Sequence, residues 1–188
     1  NICLQNINSI MKSCYTTWNE ARFLQYAKTF SLPEKKPVKD YSRGMKMKLS
    51  IAVALSHDSK LLILDEATSG LDPVVRDEIL DVFLEFMQDE HHSIFISSHI
   101  ISDLEKICDY ITFLHKGKLV FSETKEALRD QYTMVKCTKE ELDRLPPSGI
   151  VGLREYAYGV EALCRRTQIP EGLHTEPASI EDIMVYFV

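Results

Sequence analysis

The chain predicts an α/β fold, with a mainly parallel sheet flanked by helices, a helical segment at the N-terminal side and a small α+β appendage at the C-terminal side. Three observations predict it. Leu61-Leu62-Ile63-Leu64 and Ile94-Phe95-Ile96 are short apolar runs, of the length that suits strands buried on both faces under covering helices. Between and before them stand helix starts, Ser42 ahead of Met45 to Leu55 and Asp72-Pro73 ahead of Val75, Ile79, Val82 or Phe83, and Phe86. After residue 130 the pattern changes, and Pro146-Pro147-Ser148-Gly149 breaks the chain between short strand-like pieces.

Each element has a local reason. Residues 1–40 read as mostly helical. Thr17-Trp18-Asn19-Glu20 fits a capping box, with Thr17 as N-cap and Glu20 reaching back. Phe23, Tyr26, Ala27 and Phe30 then recur at helical spacing, and Pro33 and Pro37 mark a loop. Serine is a good N-cap, so the next helix starts at Ser42. Asp72 can cap the following helix, and Pro73 suits its first position. Ser93 to Ser98 reads as the next buried strand, and Ile100 to Cys108 as a short helix. Tyr110 to Ser122 forms two strands around a Lys116-Gly117 turn, with a helix from Thr124. Thr133 to Cys137 suggests a strand, Lys139 to Leu145 a helix, Ile150 to Cys164 strands around Tyr158-Gly159, and Ser179 to Val188 a terminal helix.

Composition bounds the function. The 188 residues suffice for one domain with an appendage, and 45% apolar content allows a sizeable core. The net charge of −6, with both signs mixed, argues against a nucleic-acid-binding face, which would be basic. Cys3, Cys14, Cys108, Cys137 and Cys164 are odd in number, widely spaced and without a C-x-x-C. That argues against a disulfide framework or zinc site and fits a reducing cytosol. No apolar run approaches the ~20 residues that span a bilayer, so a membrane link runs through a partner.

The chemistry concentrates in Leu61-Leu62-Ile63-Leu64-Asp65-Glu66-Ala67-Thr68-Ser69-Gly70-Leu71-Asp72. Two carboxylates close an apolar strand, at the strand end where open α/β sheets bind ligands. Successive side chains on a strand point to opposite sides, so Asp65 and Glu66 are free to do different jobs. One can hold a metal and the other handle a proton, as metal-assisted phosphoryl transfer requires. Upstream, Ser42 and Gly44 open a helix whose N-terminal N–H groups form an anion site. His99 ends the second apolar run.

These residues stand in the order of four motifs of the ATPase subunit of ABC transporters, which residues 1–130 resemble. Tyr41-Ser42-Arg43-Gly44-Met45 lies at the place of the family's LSGGQ sequence, Leu61 to Asp65 at its Walker B strand, Ser69-Gly70-Leu71-Asp72 at its D-loop and His99 at its switch histidine. The Tyr41 to Leu55 stretch looks most like the subgroup serving small bacterial exporters. The resemblance implies a P-loop NTPase fold of ABC type. It divides the chain into a helical subdomain with the LSGGQ-like helix (1–58), a core (59–130) and an α+β extension (131–188). It also implies ATP and Mg²⁺ as cofactors, with Asp65 at the metal, Glu66 as the base, His99 at the γ-phosphate, and Ser42, Arg43, Gly44 and Asp72 serving nucleotide on an opposite subunit. A membrane permease and a homo- or heterodimer of ATPase subunits are the implied partners, without nucleic acid, placing the protein in the cytoplasm, peripheral on the inner membrane face.

The pattern has departures. Arg43 stands for the first glycine, Tyr41 for leucine, Met45 for glutamine, and Ala67 for the proline usual after the catalytic glutamate. Arg43 either supplies charge to a phosphate or points to solvent. Asp72 is either a plain N-cap or a group near the partner's site. No G-x-x-x-x-G-K-[ST] string occurs, and Gly44 is the first glycine. The expectation is a C-terminal portion lacking the Walker A and Q-loop region and inactive alone. A soluble non-transport ABC ATPase and a non-catalytic interaction module are the alternatives.

Overall fold

A computed structural model describes residues 2–188. The chain divides into two compact units, one up to Ile100 and one from Ile101 to Val188.

The first unit begins with helices α1 (Leu4–Cys14) and α2 (Glu20–Thr29). The expected cap at Thr17 is two residues off. Asn19 caps α2, its side chain accepting from the Arg22 amide at 2.9 Å. Glu20 does not reach back; it accepts from Asn8 and Lys12 of α1 instead. Thr17 Oγ1 accepts from the Asp58 amide at 3.3 Å. Asparagine caps as well as threonine, and the helix starts where the pair from α1 can hold Glu20. Phe23, Ala27 and Phe30 are buried, as the stripe predicts.

Helix α3 (Arg43–Ala54) and helix α4 (Pro73–Phe86) flank strand β1 (Leu61–Asp65) in sequence. Ser42 and Asp72 cap them, accepting from the Met45 and Val75 amides at 3.2 and 3.0 Å. Lys48 of α3 is buried, pairs with Glu78 of α4 and lies 5.8 Å over the Phe30 ring.

Strand β1 pairs in parallel with β2 (Ser93–Ser97), Asp65 opposite Ser97. Among the described residues this is the parallel part of the structure, and it stops at two strands. The two apolar runs are not buried on both faces as predicted. Leu62 is buried, but Leu61, Ile63 and Phe95 on the opposite face are exposed, Ile63 by 73%. Among the described residues no element covers that face, and each strand pairs only with the other.

The second unit holds helix α5 (Ile101–Ile107), hairpin β3 (Tyr110–His115) and β4 (Lys118–Thr124), and helix α6 (Lys125–Gln131). Lys116 and Gly117 form the predicted turn with φ of 47° and 73°, the left-handed pair that suits a hairpin. Among the described residues, strand β3 pairs with β4 alone. Strands β5 (Tyr132–Cys137), β6 (Ile150–Tyr156), β7 (Gly159–Arg165) and β8 (His174–Pro177) form an antiparallel sheet in the order β6-β7-β5-β8. Short helix α7 (Lys139–Leu142) and helix α8 (Ile180–Tyr186) complete the unit. Met134, Leu163, Ile180 and Ile183 bury one sheet face together with Ile111 and Leu128. Val135, Ala162, Cys164 and Leu145 close the other. Because Ile111 and Leu128 belong to that core, α5 to α6 pack with the extension although the resemblance groups them with the core before residue 131.

Candidate functional site

The end of β1 assembles three of the predicted groups, Asp65, Glu66 and His99. Asp65 is the last residue of the strand, and the hydroxyl of Ser97 on β2 donates to its Oδ1 at 2.5 Å. The Glu66 amide donates to the Ser97 carbonyl at 3.0 Å, one step beyond the ladder. There the backbone turns out of the strand, because Glu66 has φ of 49°. A non-glycine residue in the left-handed region is uncommon and gathers at functional sites. The turn aims the carboxylate at His99, whose Nδ1 lies 2.6 Å from Glu66 Oε2. An ionised carboxylate only accepts, so Nδ1 carries the proton in this contact and Nε2 faces elsewhere. Both side chains are substantially exposed. His99 lies two residues beyond β2, held in a turn where Ser98 Oγ accepts from the Ile100 amide at 3.0 Å.

After Glu66 the chain makes two tight turns. The Ser69 amide donates to the Glu66 carbonyl at 3.1 Å and the Leu71 amide to the Thr68 carbonyl at 3.3 Å. Ala67 and Thr68 are buried, so the middle of the loop is fixed while its ends are open. Gly70 follows with φ of 67°, and Asp72 then caps α4.

The N-terminus of α3 meets this loop. A Cβ on Gly44 would lie 3.4 Å from Val75 Cγ1 and 3.8 Å from Leu71 Cδ2. Glycine here lets the first turn of α3 approach the start of α4. Arg43, expected either at a phosphate or in solvent, places its guanidinium against Gly70: a Cβ there would lie 2.6 Å from Nη1 and 2.9 Å from Cζ. Ser42 Oγ is committed to its own helix as a cap. The predicted residues thus fall into two groups, Asp65, Glu66 and His99 at the strand ends, and Ser42, Arg43, Gly44 and Asp72 at two helix starts, joined by loop 66–72.

Sequence reasoning did not single out Ser97, and it named Gly70 only within the D-loop motif. Ser97 is opposite Asp65 only because β1 and β2 pair in that register, although a serine ending an apolar strand was a visible signal. Mg²⁺ usually keeps several waters and takes one or two carboxylates plus nucleotide phosphates. An exposed Asp65 at a strand end fits that use. Among the described residues no group of three or more His, Cys, Asp or Glu side chains could cage a metal by itself. None of the described helices is long and apolar enough to cross a membrane.

Comparison with known proteins bears on the same stretch. Residues 2–69 match the family model described as ABC transporter. The chain is 44% identical over 90 residues to a lantibiotic transport ATP-binding protein of Streptococcus pyogenes, a match covering 48% of this chain and 39% of that protein. It is 45% identical over 87 residues to a bacitracin transport ATP-binding protein of Enterococcus faecalis, covering 46% and 28%. The matched part is thus well under half the length of these relatives. A solved ATP-binding subunit of an ABC transporter superposes with a TM-score of 0.58 at 26% identity, over 70% of this chain and 56% of that one. An inward-facing metal-chelate type ABC transporter does so with 0.57 at 19% identity, over 95% and 68%; at that identity the likeness is one of fold. In its motifs, in the match over residues 2–69 and in its ABC-type P-loop NTPase fold, this chain is similar to the ATP-binding subunits of ABC transporters.

Proposed function

We propose that the protein binds and hydrolyses ATP as the motor subunit of an ABC exporter, acting on a separate membrane permease from the cytoplasmic face. The Glu66–His99 contact at the end of β1 carries this reading. It places a carboxylate able to accept a proton beside an imidazole able to sense a phosphate, next to a second carboxylate held by Ser97. The bacterial relatives named for lantibiotic and bacitracin transport support a transport role, and the export direction rests on the resemblance of the Tyr41 to Leu55 stretch to small bacterial exporters.

Bound Mg²⁺ would supply charge neutralisation at the phosphates. Asp65 would hold it through water, with Ser97 fixing the carboxylate. Glu66 would orient the attacking water and take its proton, while His99 contacts the terminal phosphate and holds Glu66 in line. Ser42, Arg43, Gly44 and Asp72, at the helix starts, would complete the nucleotide site of an opposite subunit, homologous or identical. Each subunit then needs the other for turnover.

Phosphoryl transfer depends almost entirely on positioning and electrostatics, and the 188 residues contain no phosphate-loop string. The chain alone is therefore expected to show no micromolar affinity for Mg-ATP and no turnover. Calorimetric titration checks this, and a micromolar isotherm would contradict it. In a form of the protein that carries a phosphate loop, Glu66→Gln should keep ATP binding and lower steady-state hydrolysis by about 10²–10⁴-fold, the usual worth of a general base. Turnover surviving that change would remove Glu66 from the base role.

A further inference from the structure

We propose that Arg43 is a positioning residue for the loop that carries Glu66 and Asp72. Its guanidinium lodges on Gly70 and locks the N-terminus of α3 to that loop. The functional meaning rests on the ATPase reading above; the contact itself does not.

Three contacts align along the two elements. Arg43 lies against Gly70, where a Cβ would come within 2.6 Å of Nη1. One residue on, Gly44 faces Leu71 and Val75. One turn further, Lys48 pairs with Glu78. Positions 43, 44 and 48 of α3 thus meet positions 70, 71, 75 and 78 in the same order. The last contact joins helix to helix. Arg43 reaches furthest into the loop, at Gly70, while Gly44 meets it at Leu71 next to α4.

The loop transmits what Arg43 imposes. Gly70 holds φ of 67° and Glu66 φ of 49°. Between them Ala67 and Thr68 are buried, and the Ser69 amide is tied to the Glu66 carbonyl. A segment with both ends in the left-handed region and its middle buried has little freedom to move piecewise. Releasing Gly70 would loosen the segment from its open end, towards Asp72 on one side and Glu66 on the other. A planar guanidinium can lie flat on a glycine, whereas a lysine ammonium is a compact, strongly hydrated charge that would leave for water. Arginine at 43 and glycine at 70 therefore form one unit. A side chain at 70 would meet both the guanidinium and the cost of its own backbone conformation.

The test uses the 188-residue chain without nucleotide, so that its result and the failure of the ATPase reading are separable. Arg43 is exposed, and its replacement should leave the fold intact. Amide hydrogen exchange in Arg43→Ala should accelerate at residues 68–72 by about tenfold, a local opening, with α2 unchanged. Arg43→Lys should stay closer to alanine than to the parent. Gly70→Ala should lower the folding equilibrium constant less in the Arg43→Ala background than in the parent, by about tenfold, as expected for coupled neighbours. Unchanged exchange at 68–72 in Arg43→Ala overturns the proposal. So does full rescue by lysine, or equal effects of Gly70→Ala in both backgrounds.

Discussion

The two-stranded sheet of the first unit and the four-stranded sheet of the second are built from similar residues, yet only the second is closed. Strands β5 and β7 pair in the middle of an antiparallel sheet, and helix α8 covers one face while Leu145 and its neighbours close the other. Strands β1 and β2 hold each other by a single parallel ladder, with one face inward and one open. Antiparallel neighbours close through short turns, whereas parallel strands need crossovers and covering helices from further along a chain. The open sheet is the one that carries Asp65 and Glu66. The candidate site and incomplete burial therefore coincide at β1, while the closed sheet contributes packing.

The largest expected effect tests the closed side of this contrast. Leu163 on β7 is fully buried, and Leu163→Ala should cost ~2–5 kcal/mol in urea unfolding. The equivalent truncation on the open face, Ile63→Ala, should stay within about 0.5 kcal/mol, because the side chain has little burial to lose. If both cost the same, the open face is covered in solution. That outcome is readable a second way. Leu61, Ile63 and Phe95 form an exposed apolar patch beside unpaired strand edges, a combination that drives association. Ile63→Lys should reduce self-association of the chain in sedimentation velocity. An unchanged profile would mean that this face is not sticky.

A smaller effect compares the units through one chemistry. Asn19 caps α2 in the first unit, and Ser179 caps α8 in the second, within a capping box with Asp182. Alanine at either should cost ~1 kcal/mol. The loss should appear in the hydrogen exchange of the helix it caps. Thr17→Ala, at the position expected from sequence, should change α2 much less, since Thr17 only accepts from the Asp58 amide.

Local chemistry was legible in the sequence, and pairing was not. Ser42, Asp72, Thr124 and Ser179 announce their helices because a cap is a short-range bond between a side chain and an amide three residues on. Lys116-Gly117 announces its hairpin for the same reason. The order of Asp65, Glu66, Gly70, Asp72 and His99 was legible through the family's motifs, and Asp65 at the strand end followed from the apolar run before it. The open face of β1 was not, because an apolar run states what a strand would bury and not whether anything arrives to bury it. Strand β8 was missed: His174-Thr175-Glu176-Pro177 is polar and becomes a strand only by pairing with β5. The contact of Arg43 with Gly70 spans 27 positions, and nothing in either segment points to the other. Thr17 and Asn19 show the remaining failure, in which two adequate caps lie two residues apart and a contact from α1 decides between them.

The smallest effect concerns the buried thiol of the closed sheet. Cys164 on β7 has its pKa raised from 9.0 to about 11, chiefly by burial and secondarily by the neighbouring Cys137. Burial disfavours the thiolate, so the folded chain holds this proton more tightly than the unfolded one. Such a group contributes stability that is complete below pH 9.0, the unfolded value, and lost as the pH rises through about 11. Urea midpoints of the second unit should therefore fall across that window, and Cys164→Ala should fall less steeply. Tyr186, raised to about 12 mainly by burial, gives up its own share from 10.0 upward, so the informative quantity is the difference between parent and variant. Alkylation gives an independent reading, because the thiolate is the reactive form. Exposed Cys14 should be modified by iodoacetamide well before Cys164. If Cys164 reacts as fast as Cys14, the sheet that closes the second unit opens as readily as the first unit's sheet lies open, and the contrast between them fails.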